Sequence, residues 1–172
     1  MVTVSVVAIL VALAIPDFQR FIQKNRIDSE ILDLQSFLMA ARGQAIKTGQ
    51  DTWITSTTND WNGQLRYFGD VNGDRVQDAT EPTAGQFRAP TQIALIPTAA
   101  VATGIGYNSR GEIIGVANTA NGSVAIQVPT LIDKPNFFVG VMRFATSGRS
   151  TVIRYKNPVA SSASGVADGG WN

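Results

Sequence analysis

The first fifteen residues, Met1 to Ile15, carry no charged side chain, and the hydrophobic pattern changes character twice after them. A run this apolar must sit in lipid, in a partner's core, or be removed by processing. It ends at Pro16. Beyond the proline, Phe18, Phe21, Ile22, Ile27, Ile31, Leu34, Leu38, Ala41 and Ala45 recur every three or four residues, the spacing of one helix face. Arg20, Lys24, Arg26, Asp28, Glu30, Asp33 and Arg42 take other positions around that helix. One long helix is therefore expected from residue 1 to about 48, apolar all round in its first half and striped in its second. Pro16 removes a backbone donor and is expected to kink or locally melt it. Gly49 after Lys47 is the expected C-cap.

From there the pattern shifts to short β-branched and aromatic runs separated by Gly, Asn, Asp and Pro. Strands are expected at Thr52–Thr57, Gln64–Phe68, Gln92–Ile96, Glu112–Val116, Ser123–Val128, Phe137–Thr146 and Thr151–Tyr155, paired antiparallel. The last two flank Ser147-Gly148-Arg149 and read as a hairpin. Thr103-Gly-Ile-Gly106 and Asn108-Ser-Arg-Gly111 read as turns. The expected fold class is α+β: a long N-terminal helix whose second half packs on a small antiparallel β-sheet head. Three parts follow: 1–24 as a protruding hydrophobic half-helix, 25–157 as the head with the rest of the helix, and 158–172 as a flexible, small-residue-rich tail.

Composition removes whole classes of chemistry. With 172 residues the chain holds one core plus an extended element. It has no Cys and no His, so disulfides, thiolate sites and His-dependent triads are excluded. No nucleophile elbow, phosphate loop or paired catalytic carboxylates stand in a defined context, and no enzymatic activity or organic cofactor is expected. The net charge is +1, too small to predict nucleic-acid or membrane-surface binding by itself.

The N-terminal stretch, Met1-Val-Thr-Val-Ser-Val-Val-Ala-Ile-Leu-Val-Ala-Leu-Ala-Ile-Pro-Asp-Phe18, resembles the N-terminal helix of type IV pilins and type II secretion pseudopilins. In that superfamily a Gly-Phe-Thr-Leu-Ile-Glu-Leu cleavage segment would come immediately before Met1, so a true N-terminus upstream of Met1 is expected. Two segments of the head resemble the GspH/FimT/FimU group. One is Trp61 to Glu81, an aromatic strand running into an Asp/Asn/Gly-rich turn. The other is Arg143 to Arg154, a strand, Gly-Arg, strand pattern.

The resemblance implies a minor pilin that assembles into a type IV pilus or its initiating complex, or else a GspH-like pseudopilin of type II secretion. It implies other major and minor pilins as partners, an inner-membrane anchor with a periplasmic head, and Val4, Val7, Ile9, Leu10, Leu13, Pro16 and Phe18 as the assembly helix.

Two constellations are candidates for ligand binding. Asp70, Asn72, Asp74, Val76, Asp78 and Glu81 reproduce the spacing of a calcium loop, with Val76 supplying a carbonyl and Arg75 where such loops place glycine. A structural Ca²⁺ is one reading. An acidic turn closed by its own Asp and Asn side chains is the other. The second constellation is basic: Lys134, Arg143, Arg149, Arg154 and Lys156, interleaved with Phe137, Phe138, Phe144 and Tyr155. FimT-type relatives include DNA-binding members, which implies non-sequence-specific contact of double-stranded DNA by Arg143, Arg149, Arg154 and Lys156. Here Arg154 falls five residues after Arg149, so a tight Gly-Arg-x-Arg is not matched. A hairpin with ordinary solvent-facing charges is the alternative.

Overall fold

A computed structural model describes residues 2–56, 61–88, 93–98, 101–102, 104–115, 123–127 and 138–156. The expected tail, Lys134 and Phe137 lie outside these. Helix α1 (Val2–Thr48) runs unbroken through Pro16, so the proline does not interrupt the element there. Gly49 ends it in the left-handed region (φ 69°), with its N–H donating to the Ala45 carbonyl at 3.0 Å. Glycine takes that conformation without the Cβ penalty any other residue would meet.

The helix packs by the face its periodicity marks. Ile27, Ile31, Leu34, Leu38, Ala41 and Ala45 are all buried, while Phe18 and Phe21 are exposed. Packing of the described core side chains thus begins near Ile27.

Nine strands follow: β1 (Asp51–Ser56), β2 (Gln64–Asp70), β3 (Thr83–Arg88), β4 (Ala94–Pro97), β5 (Ile105–Tyr107), β6 (Ile113–Ile114), β7 (Ser123–Gln127), β8 (Phe138–Phe144) and β9 (Ser150–Lys156). They form two antiparallel sheets, β3-β2-β1-β5-β6 and β4-β7-β8-β9, rather than one. Two strands depart from the sequence expectation. β3 had no expected counterpart, and β5 falls on the Thr103-Gly-Ile-Gly106 stretch read as a turn. The Asn108–Gly111 turn is present: the Asn108 Oδ1 accepts from the N–H groups of Arg110 (3.0 Å) and Glu112 (2.9 Å).

The misread glycines serve packing. Ile105, Gly106 and Tyr107 are buried, and β5 pairs with β1 through Trp53↔Gly106. A Cβ on Gly106 would stand 3.0 Å from the Trp53 ring, and one on Gly115 would overlap it. Trp53 therefore lies flat over backbone that bears no side chain. Gly140 plays the same part in β8, where a Cβ would overlap the Ile31 side chain of α1. The helix crosses the second sheet at that point.

Between the sheets, Trp61 is buried and its Nε1 donates to the Val101 carbonyl at 3.0 Å. Asn62 takes both backbone groups of Leu95: its Nδ2 donates to the Leu95 carbonyl (3.1 Å) and its Oδ1 accepts from the Leu95 N–H (2.6 Å). Leu95 sits on the edge strand β4, so Asn62 closes an edge that would otherwise offer free pairing groups.

Candidate functional site

The calcium-like segment folds as a self-closed acidic loop between β2 and β3. Asp70 accepts from the Gly73 N–H at 2.7 Å and the Arg75 N–H at 3.1 Å. Asn72 accepts from the Asp74 N–H and donates to the carboxylates of Asp74 (2.9 Å) and Asp78 (3.4 Å). Asp74 accepts from the Val76 N–H (2.7 Å), and Asp78 accepts from both the N–H and the hydroxyl of Thr80. Glu81 reaches back to the N–H groups of Val71 (2.7 Å) and Asp78 (3.4 Å).

Each carboxylate oxygen of the four acids therefore accepts a bond from inside the loop. Asp70 and Glu81 are buried, at 6% and 1% exposure, which makes those bonds obligatory. The hydrogen bonds from Thr80 hold the Asp78 carboxyl below its usual range. Arg75 takes the left-handed conformation (φ 65°) at the place of the calcium-loop glycine, and its guanidinium stacks 5.0 Å from the Trp53 ring centroid. Val76, whose carbonyl the spacing nominated, is exposed. Among the described residues, no group of three or more acidic side chains is arranged to hold a metal ion.

A shallow cleft of about 310 Å³ adjoins this loop, lined by Gln44, Gln50, Gly69, Val71, Glu81 and Pro82 among others. Both oxygens of its carboxylate, Glu81, are already engaged.

The basic hairpin is β8 and β9, joined by Ala145 to Arg149. Arg143 pairs with Thr151, Gly140 with Arg154, and Phe138 with Lys156. Arg143 is exposed on β8, and the side chains of Arg154 and Lys156 lie outside those described. Arg149 is exposed in the turn.

What holds this hairpin is a residue that the periodicity placed merely beside the helix stripe. Arg42 donates from Nε to the Gly111 carbonyl at 2.8 Å and from Nη2 to the Ser147 carbonyl at 3.2 Å. It thereby ties α1 to one turn of each sheet. The Ile113 N–H donates to the Thr146 carbonyl at 2.9 Å and closes the same junction. Gly148 (φ 79°) sits against it so closely that a Cβ would overlap the Gly111 carbonyl oxygen. Burial pushes the neighbouring Tyr107 hydroxyl up to about 12, with the Arg42 charge acting in the opposite direction.

Glu30 also departs from expectation. Placed off the apolar stripe of α1 by its spacing, it is nevertheless buried at 5% exposure, with Oε1 lacking a hydrogen-bond partner among the described residues. Desolvation first, then the charge of Asp33, pushes its carboxyl up to about 7.

The assembly helix is described as backbone throughout, but the side chains of Val4, Val7, Ile9, Leu10, Leu13 and Pro16 lie outside those described; Phe18 is 64% exposed. Among the residues with described side chains, no helix is long and apolar enough to cross a membrane. The apolar surface that sequence reasoning missed lies further along α1, where Leu32, Met39 and Ile46 are all more than half exposed. Their seven-residue spacing was the available signal.

Residues 30–154 match the family described as type II transport protein GspH. No curated relative matches the chain at the sequence level. Among solved structures the fold is similar to the type IV minor pilin FimU of Pseudomonas aeruginosa strain PAO1, seen in two crystal forms. The first superposes with a TM-score of 0.59 at 17% identity, covering 77% of this chain and 91% of that one. The second gives 0.54 at 16% identity, covering 75% and 90%.

Proposed function

Because the chain belongs to the GspH family, within the type IV minor pilin and pseudopilin superfamily, we propose that it works as a minor pilin. In this reading it assembles through α1 into a type IV pilus or its initiating complex. The observation that carries the reading is the division of α1. Among the described side chains the buried face of the helix begins at Ile27, and the sequence before it is charge-free from Met1 to Ile15.

Such a half-helix can rest in the inner membrane, with the head in the periplasm, and then move into a bundle of like helices. Lipid and helix bundle are similarly apolar, so the exchange is governed by packing rather than by loss of burial. Other pilins are the partners. A GspH-like pseudopilin of a type II secretion system is the second reading, favoured by the family's own description.

Disulfide crosslinking between copies with a single cysteine at Val7 or Leu10, in membranes and in sheared filaments, tests assembly. The native chain has no cysteine to confuse it. Crosslinked oligomers are expected; a chain that stays monomeric at every position would refute the reading. Loss of surface pili on deletion identifies the pilus, and loss of exported folded proteins identifies the secretion system.

A finer part of the proposal is non-specific contact with duplex DNA at the hairpin tip, supported by the exposed guanidinium-bearing residues Arg143 and Arg149. Contact of this kind weakens steeply with salt. A mobility shift on short duplexes that is absent at low salt would discard it.

A further inference from the structure

The two sheets end on β3 and β6, and on β4 and β9. Asn62 closes β4, and β6 is only two residues long and bonds through the Ile113 N–H to the Thr146 carbonyl. β3 is different. It is six residues long, the exposure of every one of its residues is described, and among the described residues no strand pairs with its outer side. Every second residue of such an edge turns its N–H and C=O outward, where another extended chain can pair with them. Its start is blunted by Pro82 and by a register shift opposite Tyr67 and Phe68. From Gly85 to Arg88 the ladder to β2 is regular.

The side chains beside this edge are basic. Register sets Arg88 opposite Gln64 and Gln86 opposite Arg66, so the four stand on one face of the sheet. A hydrogen bond from Gln64 Nε2 to Gln86 Oε1 spans one diagonal of the square. The face is the one turned away from α1, because the alternate residues Tyr67 and Phe87 stack on Phe37 of the helix.

The two amides engage each other and leave the guanidiniums on the other diagonal, about 7–8 Å apart at the backbone. Arg88 is exposed; Arg66 is half-buried, and its Nε is buried without an acceptor. Among the described residues neither guanidinium is paired with a carboxylate. A buried charged donor left without a partner is a costly arrangement, and an incoming acceptor relieves it. The acids of this face, Asp51 and Asp70, stand opposite each other at the far end of the strands, about 13 Å from Arg66. Asp70 already accepts from the N–H groups of Gly73 and Arg75.

We propose that β3 takes an extended acidic segment of another polypeptide as an added strand, with alternate carboxylates of that segment on Arg88 and Arg66. The open edge requires an extended peptide, and the two guanidiniums require that it be acidic. Neighbouring strands lie about 4.8 Å apart, so a carboxylate opposite Arg88 is in direct reach. Arg66, one strand further in, reaches across Gln86 to the carboxylate opposite it. Main-chain pairing supplies the affinity and the guanidiniums the selection. Duplex DNA would match the charge but has no peptide groups to offer the edge. This surface goes beyond the assembly reading, which uses α1, and does not depend on it.

The test titrates the full chain, in detergent micelles, with three seven-residue peptides. One alternates Glu with Val, one alternates Lys with Val, and one repeats the Glu–Val sequence with its peptide nitrogens methylated, which keeps the charge and removes the donors. The Glu–Val peptide should bind saturably and move the backbone amide NMR signals of Gly85 to Arg88. The methylated peptide should bind about tenfold more weakly, and the Lys–Val peptide should not bind. Arg66→Gln combined with Arg88→Gln should weaken binding about tenfold with Tm unchanged. Lys47→Gln, an exposed charge at the end of α1, should leave it as it was.

Equal binding of the methylated peptide would overturn strand addition, and so would amide shifts that spare β3. Binding unaffected by the double arginine variant would overturn the selection for acid. A short DNA duplex that moves the β3 amides when the Glu–Val peptide does not would make the patch a phosphate surface and reject the proposal.

Discussion

Replacing Gly148 by alanine should destabilise the head far more than the same change at Gly73, although the two glycines share almost the same backbone conformation. Their φ angles are 79° and 80°. Placing alanine in the left-handed region costs about 1 kcal/mol at either site. At Gly73 the added methyl meets nothing within 4 Å. At Gly148 it overlaps the Gly111 carbonyl oxygen and comes within 2.8 Å of the Arg42 Nε. A carbonyl in a turn cannot rotate away as a side chain can, so the two turns must separate. Separation strains the Ile113-to-Thr146 bond and the two bonds from Arg42. Forced overpacking adds about 1–3 kcal/mol, and weakening a charged hydrogen bond adds about 1–2 more. The expected loss is therefore about 3–6 kcal/mol for Gly148→Ala against about 1 kcal/mol for Gly73→Ala. For a head of this size that is a fall in Tm on the order of 12–24 °C against about 4 °C. Thermal unfolding followed by circular dichroism reads both, and a urea titration with unchanged slope confirms that stability rather than compactness has moved. Equal shifts in the two variants would refute the claim that a steric junction, and not backbone conformation alone, requires glycine at 148.

Further outcomes follow from the same contacts. Arg42→Ala should cost about 2–3 kcal/mol, and Arg42→Lys should restore less than half, because an ammonium does not span two carbonyls as the guanidinium fork does; urea midpoints of the three proteins decide it. Glu30, with its carboxyl raised to about 7 against an ordinary value of 4.5, holds its proton in the folded state after the unfolded chain has lost it. Stability should therefore decline as pH rises from about 4.5 through 7, by about 2–3 kcal/mol in all, and level off above. Glu30→Gln should flatten that slope, and an equally steep Tm–pH profile in the variant would reject the assignment. Since the 70–81 loop satisfies its own carboxylates, a chelator should leave Tm within about 1 °C. A site with micromolar affinity would instead add a few kcal/mol in millimolar calcium, and a rise of that size would restore the metal reading.

The long helix was legible because its signal is local. Burial of Ile27, Ile31, Leu34, Leu38, Ala41 and Ala45 follows from one period of 3.6, and the Gly49 cap from one residue's freedom of φ. The hairpin around Gly148-Arg149 and the Asn108–Gly111 turn were legible for the same reason. Turn chemistry is written in adjacent residues. The family resemblance of the first eighteen residues likewise needs no fold.

Strand partnership is not local, and there the sequence by itself was silent. Nothing in Ile105-Gly-Tyr107 announces that it will be buried beside β1, and its glycine looks like a turn residue until Trp53 lies across it. The division into two sheets, the pairing of β3 and the edge closure by Asn62 also required chain segments far apart to be brought together. The sites followed suit. Periodicity placed Arg42 and Glu30 off the apolar stripe of the helix and said no more of them. Tertiary packing made the first a tie between two turns and buried the second, because the depth of a helical position is set by what lies against it and not by its own polarity.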